Sequence, residues 1–163
     1  MTVDISVIIA TYNVASYVQR AVESVQAQQS VRCEIILVDD ASTDDTWNVI
    51  QQLQYPNLKS QRLATNSGPS VARNTAISLA EGKWVAVLDA DDTMAPGRLT
   101  RLVAMAESNH ADIVVDNLQV VPESGEPAFP MFSRTYLEMI SPLILEQFIL
   151  GNCKFLGGYT LGY

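Results

Sequence analysis

The sequence predicts an α/β fold, a mostly parallel sheet with helices on both faces. Three observations carry this reading: short, almost uninterrupted apolar runs rich in β-branched residues, amphipathic stretches of helical period between them, and turn or capping residues at the junctions. Continuous apolar runs suit strands covered on both faces. Strands that alternate with helices pair in parallel through right-handed crossovers.

Ile5 to Thr11 (ISVIIAT) is the first such run. Val14, Val18, Ala21, Val22 and Val25 then recur at helical spacing, predicting a helix from Val14 to about Gln28. Glu34 to Val38 is the second strand and runs into Asp39-Asp40. Ser42 is placed to cap a helix from Asp44 to about Leu53, with Asp44 and Asp45 favourable in its first turn. Lys59 to Ala64 is a weaker third strand. Asn66-Ser67-Gly68-Pro69 follows as a turn, with Pro69 suited to the first turn of a helix whose apolar face is Val71, Ala72, Ala76, Leu79 and Ala80. Gly82 reads as that helix's C-terminal cap. Trp84 to Leu88 is the fourth strand and ends in Asp89-Ala90-Asp91-Asp92. Pro96 opens a helix carrying Leu99, Leu102, Val103 and Ala106, and Ile113 to Val115 begins a fifth strand. Beyond Val121 the character changes. Pro122 to Pro127 reads as a loop, Phe129-Pro130-Met131-Phe132 as an apolar patch outside the sheet, and Tyr136 to Leu150 as a further helix.

Composition bounds the function. The chain has 163 residues, 48% of them hydrophobic and 17% charged, as expected of one globular domain with a real core. A net charge of -8 argues against nucleic-acid binding, which needs cations to neutralise phosphates. No apolar run reaches the ~18 to 20 residues of a membrane-spanning helix. The start Met1-Thr2-Val3-Asp4 lacks the basic residues of a signal peptide, so a cytoplasmic protein is expected. Cys33 and Cys153 match no metal spacing or disulfide framework and read as reduced thiols. His110, near the end of the fourth helix, reads as a cation at a helix C-terminus and takes no catalytic role.

The chemistry lies in the acids at the strand ends. Asp39, Asp40, Asp89, Asp91 and Asp92 all follow strands, so the fold brings two acidic clusters toward one rim, where ligands of such sheets bind. From Cys33 to Leu58 there is no Lys or Arg, so local sequence offers the first cluster no counter-charge. Carboxylates converging in this way suit Mg²⁺ or Mn²⁺, which takes its remaining ligands from water and phosphate. The bland alternative is that such strand-end acids are merely solvated.

Four segments sharpen the choice. Ser6 to Asn13 (SVIIATYN), Val38 to Asp44 (VDDASTD), Gly68 to Asn74 (GPSVARN) and Leu88 to Asp92 (LDADD) stand in the order and spacing of the family 2 glycosyltransferases. The resemblance covers about residues 4 to 121, and the region from Phe129 to Tyr163 is loosely similar to bacterial enzymes of the succinoglycan and exopolysaccharide type. It implies a GT-A fold, with residues 1–121 as the nucleotide-sugar-binding domain and 122–163 as the incomplete start of an acceptor-side region. The acceptor half is expected to be truncated, because in the family it extends well beyond residue 163.

Site roles follow from the resemblance by position. Ala10, Thr11 and Tyr12 resemble the segment lining the nucleoside pocket, with Tyr12 packing on the base. Asp40 is similar to the acid that accepts the uracil N3-H, Arg73 to the basic residue near base or phosphate, Asp89 to the acid near the ribose, and Asp91 to the principal metal ligand. Each has a plainer alternative: Tyr12 covering the helix that follows, Asp40 capping the Ser42 turn, Arg73 solvated. The implied donor is a UDP-sugar, the cofactor Mn²⁺ or Mg²⁺, and the acceptor a saccharide or a lipid-linked saccharide. The implied reaction is an inverting, metal-dependent transfer in polysaccharide biosynthesis. Contact with the inner membrane face would rest on apolar surface such as Phe129, Met131 and Phe132. No general base is legible, since Glu138 and Glu146 read as solvated helix acids. A non-catalytic nucleotide-sugar-binding module is the alternative. A signalling receiver domain is disfavoured because its acid pair follows the first strand, not the second.

Overall fold

The computed structural model describes residues 3–122 and 124–135. The chain divides into two compact units, Met1–Asp112 and Ile113–Tyr163.

The first unit is built on β1 (Ile5–Thr11), α1 (Val18–Gln26), β2 (Cys33–Asp39), α2 (Thr46–Gln52), β3 (Leu58–Arg62), α3 (Pro69–Ser78), β4 (Trp84–Val87) and α4 (Arg98–Asn109). The strands form one parallel sheet in the order β3-β2-β1-β4. The chain steps outward from β1 to β3 and then returns past β2 and β1 to add β4. Right-handed crossovers therefore require α1 and α2 on one face and α3 on the other. Packing agrees. Ile5, Val7, Ile9, Ile35 and Leu37 bury against Val18, Ala21, Val22 and Val25 of α1, Ile50 of α2 and Leu99 of α4. On the opposite face Ile8, Ile36 and Val38 meet Ala72 and Ala76 of α3. Alternate residues of one strand thus serve two cores, which is why β1 and β2 lack polar alternation. The expected mostly parallel sheet with helices on both faces is what forms.

Several local expectations are corrected. The first helix starts at Val18 rather than Val14, because the Val14 amide donates to Thr46 Oγ1 (2.8 Å) and the Ala15 amide to Asp44 Oδ2 (3.3 Å), tying the loop to its neighbour. Ser42 does not cap α2, whose N-cap is Asp45; its hydroxyl donates to the Asp39 carboxylate instead. Gly82 is not a helix cap, since α3 ends at Ser78 and is capped by Leu79. It is the point where the chain lies against β1: a Cβ there would stand 2.5 Å from the Ser6 nitrogen and 2.7 Å from the Ile5 carbonyl carbon. Pro96 precedes α4 by two residues, and Gly97, at φ 68°, makes the left-handed turn into it.

In the second unit, Ile113–Val115 forms no strand, and Ile113 and Val115 are each 58% exposed. The described residues there instead hold an antiparallel ribbon, β5 (Gln119–Val120) with β6 (Phe129–Pro130). The Phe129 patch is therefore paired β-structure, closed by the Asn117 side chain, whose amide donates to the Phe132 carbonyl (2.8 Å) and whose oxygen accepts the Phe132 amide (3.0 Å). The expected helix from Tyr136 to Leu150, with Glu138 and Glu146, and Cys153 lie outside the described residues.

Candidate functional site

The carboxyl ends of β1, β2 and β4 carry the predicted site residues except Arg73, which stands on α3, and the loops following β1 and β2 lock together. Asn13, at φ 53°, turns its side chain so that Oδ1 accepts the Thr43 amide (2.9 Å) and the Asp44 amide (3.3 Å), while its own amide donates to Ser42 Oγ (3.0 Å). The Asp44 carboxylate accepts from Thr46 and Ala15. Its burial works against ionisation, but hydrogen bonds from the Thr46 hydroxyl and the Thr46 and Ala15 amides outweigh that and hold it below the usual carboxylate range.

The adjacent acids Asp39 and Asp40 do different work. Asp39 is fully buried and accepts hydrogen bonds from Thr11 Oγ1 (3.3 Å) and the Ser42 amide (3.1 Å). Its counter-charge is Arg62, whose Nε lies 3.1 Å from Asp39 Oδ2 and whose Nη2 donates to the Ser42 carbonyl (2.6 Å). The first cluster thus has a cation after all, supplied from outside the Cys33 to Leu58 segment. In the parallel β2–β3 register Asp39 stands opposite Arg62, so pairing registers would have revealed the partner where chain order did not. Asp40 turns the other way. Its Oδ1 accepts the Ser67 amide (2.7 Å) and its Oδ2 the Gly68 amide (2.8 Å), so it anchors the turn into α3 rather than the Ser42 turn.

The remaining predicted residues sort by exposure. Thr11 is buried with its hydroxyl on Asp39 and the Val38 carbonyl, so main chain is what it offers a ligand. Ala10 is half-buried against the α3-side core. Tyr12 is 45% exposed at the end of β1, free to meet a planar group. At the end of β4, Leu88 and Ala90 point inward while Asp89 and Asp91 face out. Arg73 Nη2 reaches Asp89 Oδ1 at 2.8 Å, which joins two predicted residues in one ion pair, and Arg73 Nε is buried with no partner among the described residues. Asp92 is exposed, yet partial desolvation pushes its carboxyl up, and the neighbouring charges of Asp91 and Asp89 add to this against the opposing charges of Arg20 and Arg98.

Among the described residues the Asp91 carboxylate takes no hydrogen bond or salt bridge, and no group of three or more His, Cys, Asp or Glu side chains converges into a metal cage. The Asp92 carboxylate beside it likewise has no hydrogen bond or ion pair among the described residues. Such free carboxylates at an exposed strand end fit Mg²⁺ or Mn²⁺ that completes its shell with water and diphosphate oxygens. Two surface hollows, one lined by Gln19, Val49 and Tyr55 and another by Ala27, Pro96 and Arg101, involve none of the strand-end acids. Cys33 is a free thiol, pushed up by burial and by the Asp4 charge and so poorly suited to nucleophilic work. Among the described residues no helix is long and apolar enough to cross a membrane.

The sequence matches the family described as Glycosyl transferase family 2 across residues 6–160. It is 40% identical over 160 residues to the succinoglycan biosynthesis protein ExoO of Rhizobium meliloti (strain 1021), a match covering 98% of this chain and 46% of that protein. S. aureus TarS in complex with UDP-GlcNAc superposes with a TM-score of 0.63 at 34% identity, over 74% of this chain and 37% of that one. The mannosyltransferase PcManGT from Pyrobaculum calidifontis, in complex with GDP-Man and Mn²⁺, gives 0.58 at 26% identity, over 76% and 36%. The chain spans less than half the length of each of these relatives. The GT-A fold expected from the sequence is the fold these neighbours share with it.

Proposed function

The chain belongs to glycosyl transferase family 2, and on that premise we propose that its strand-end rim binds a UDP-sugar with Mn²⁺ or Mg²⁺ as the donor side of a polysaccharide-building glycosyltransferase. The observation that carries the reading is the division of labour among the acids. Asp39 and Asp44 are consumed in holding loops, and Asp40 gives one lone pair of each oxygen to the turn into α3. Asp91, with its neighbour Asp92, is instead left with a carboxylate free of hydrogen bonds and ion pairs among the described residues at the same edge of the sheet.

Residues 1–121 are the donor-binding part in this account, and residues 122–163 begin the acceptor side. Tyr12 packs on the uracil ring. Asp40, held by two amides, keeps spare lone pairs on both oxygens and accepts the uracil N3-H, a proton that cytosine lacks. Asp89 accepts a ribose hydroxyl on the oxygen that Arg73 leaves free, and Arg73, tethered to Asp89, contributes positive charge near the diphosphate. Asp91 holds the divalent ion, which when bound supplies positive charge against the diphosphate leaving group. The acceptor hydroxyl attacks the anomeric carbon as the bond to the diphosphate breaks, so the configuration inverts, and the hydroxyl proton passes to a general base. The acceptor is a saccharide, free or lipid-linked. Exposure of Phe129 and Met131 supports contact with a lipid surface on the cytoplasmic side.

A thermal-shift screen of UDP-, GDP- and CDP-sugars, each with and without Mn²⁺, tests the reading. Ligand at 100 times its dissociation constant stabilises by about 2.7 kcal/mol, equivalent to roughly 5 to 10 °C for a chain of this size. A UDP-sugar is expected to give such a shift with Mn²⁺ and a smaller one in chelator. No shift with any nucleotide sugar would overturn the proposal, and equal shifts with UDP- and CDP-sugars would remove Asp40 from base recognition.

A further inference from the structure

Helix α1 presents a polar stripe to the loop that follows β4. Arg20, Ser24 and Gln28 recur at a spacing of four, on a side of the helix flanking its buried Val18, Ala21, Val22 and Val25 face. Arg20 Nη2 donates to the main-chain carbonyl of Asp91 (3.0 Å). Ser24 Oγ accepts the Met94 amide (3.0 Å). Gln28, buried one residue past the helix cap, donates from Nε2 to the Ala95 carbonyl (3.0 Å) and accepts the Leu99 amide on Oε1 (3.2 Å). Four main-chain groups between Asp91 and Leu99 are therefore satisfied by three side chains of one helix. Buried Met94 and Leu99 pin the far end of the loop in the core. At the other end Ala90 is buried in the same core, but Asp91, Asp92 and Thr93 beyond it are exposed, and Arg20 is the side chain of α1 that reaches the main chain there.

We propose that Arg20 is a positioning residue for Asp91: by holding the Asp91 carbonyl it fixes the direction in which the free carboxylate leaves the main chain, with Ser24 and Gln28 securing the loop behind it. A guanidinium suits the task. It donates in a fixed plane, and it is braced by the Tyr17 ring one turn back, 5.7 Å from its Cζ to the ring centroid. Lost positioning of this kind acts on a ligand through a shell the ligand never touches, and typically costs ~10- to 100-fold in metal affinity.

This inference rests on the donor reading, and the experiment separates the two. UDP affinity is measured by calorimetry in Mn²⁺ and in EDTA for the wild-type chain and for Arg20→Gln, and amide hydrogen exchange is followed in both without ligand. The ratio of UDP affinity in Mn²⁺ to that in EDTA should fall about tenfold or more in Arg20→Gln. Exchange across Asp89 to Thr93 should quicken while β1 and β2 stay protected. Arg20 is exposed on α1, so the variant is expected to keep its fold, and protection of β1 reports on this directly. A wild-type chain that gains affinity with Mn²⁺, beside a variant whose ratio and loop exchange are unchanged, overturns the inference alone. A variant that loses affinity equally in Mn²⁺ and EDTA also overturns it. A wild-type chain that binds UDP no better with Mn²⁺ overturns the metal part of the donor reading and this inference together.

Discussion

Replacing Asp40 with asparagine separates anchoring from recognition. In the native chain both carboxylate oxygens are acceptors, one for the Ser67 amide at 2.7 Å and one for the Gly68 amide at 2.8 Å. Asparagine offers one acceptor and one NH₂, so whichever way it turns, one amide N-H faces a donor. A hydrogen bond to a charged group contributes ~1.5 to 3 kcal/mol and a neutral one ~1 kcal/mol. Losing one charge-assisted bond outright and weakening the other therefore costs about 3 kcal/mol. Relief from burying an ion offsets part of this, leaving about 2 kcal/mol. At a urea m-value of ~2 kcal/mol/M the unfolding midpoint should drop by about 1 M with an unchanged slope. Exchange of the Ser67 and Gly68 amides should quicken in the same variant. If the midpoint stays within about 0.3 M of wild type, Asp40 does not anchor the turn into α3 and the reasoning fails. Any loss of UDP binding in this variant is interpretable only below the temperature at which it begins to unfold.

Gly82→Ala should destabilise by ~1 to 3 kcal/mol or more, because the added methyl meets main-chain atoms of β1 rather than a movable side chain; a thermal midpoint within about 2 °C of wild type would mean that the turn shifts freely. Glu34 is buried. Burial alone would raise its pKa, but the Lys59 ammonium, the Ser6 hydroxyl (2.6 Å) and the Glu81 amide (2.7 Å) outweigh that and hold it below the usual carboxylate range. A depressed native value stabilises the fold above the unfolded-state pKa of about 4.3 and is lost as pH falls through the native one. The thermal midpoint should therefore decline on acidification below about pH 4.5, and Glu34→Gln should lower it at pH 7 while flattening that decline. An acid limb of the same slope in both proteins would assign the effect to other carboxylates.

The order of elements in the first unit is legible because the hydrophobic period changes visibly from the continuous runs of Ile5 to Thr11 and Glu34 to Val38 to the 3.6-residue spacing of α1. The fifth strand is not. Ile113-Val114-Val115 has ample β-propensity, but a strand exists only through its partner, and these residues find none in the first sheet. The ribbon strand Phe129–Pro130 carries a proline and spans two residues, too short for a periodic signal. At the site, the sequence order places the acids correctly at strand ends, yet cannot say which are free. That depends on partners distant in the chain: Arg62 for Asp39, the Ser67 and Gly68 amides for Asp40, Arg73 for Asp89. Ser42 shows the same limit, since a hydroxyl suited to capping a helix finds a stronger acceptor in a buried carboxylate three residues earlier.

The most direct measurement is calorimetric titration of the wild-type chain and Asp91→Asn with UDP in Mn²⁺ and in EDTA. Because the Asp91 carboxylate holds no internal partner among the described residues, its replacement should leave the unfolding midpoint nearly unchanged, within ~0.5 kcal/mol. In EDTA the two proteins should bind UDP alike. In Mn²⁺ the wild-type chain should gain at least tenfold in affinity and the variant should gain little, placing the metal between Asp91 and the diphosphate. Equal gains in Mn²⁺ for both proteins would contradict that assignment and move the metal to another carboxylate of the rim.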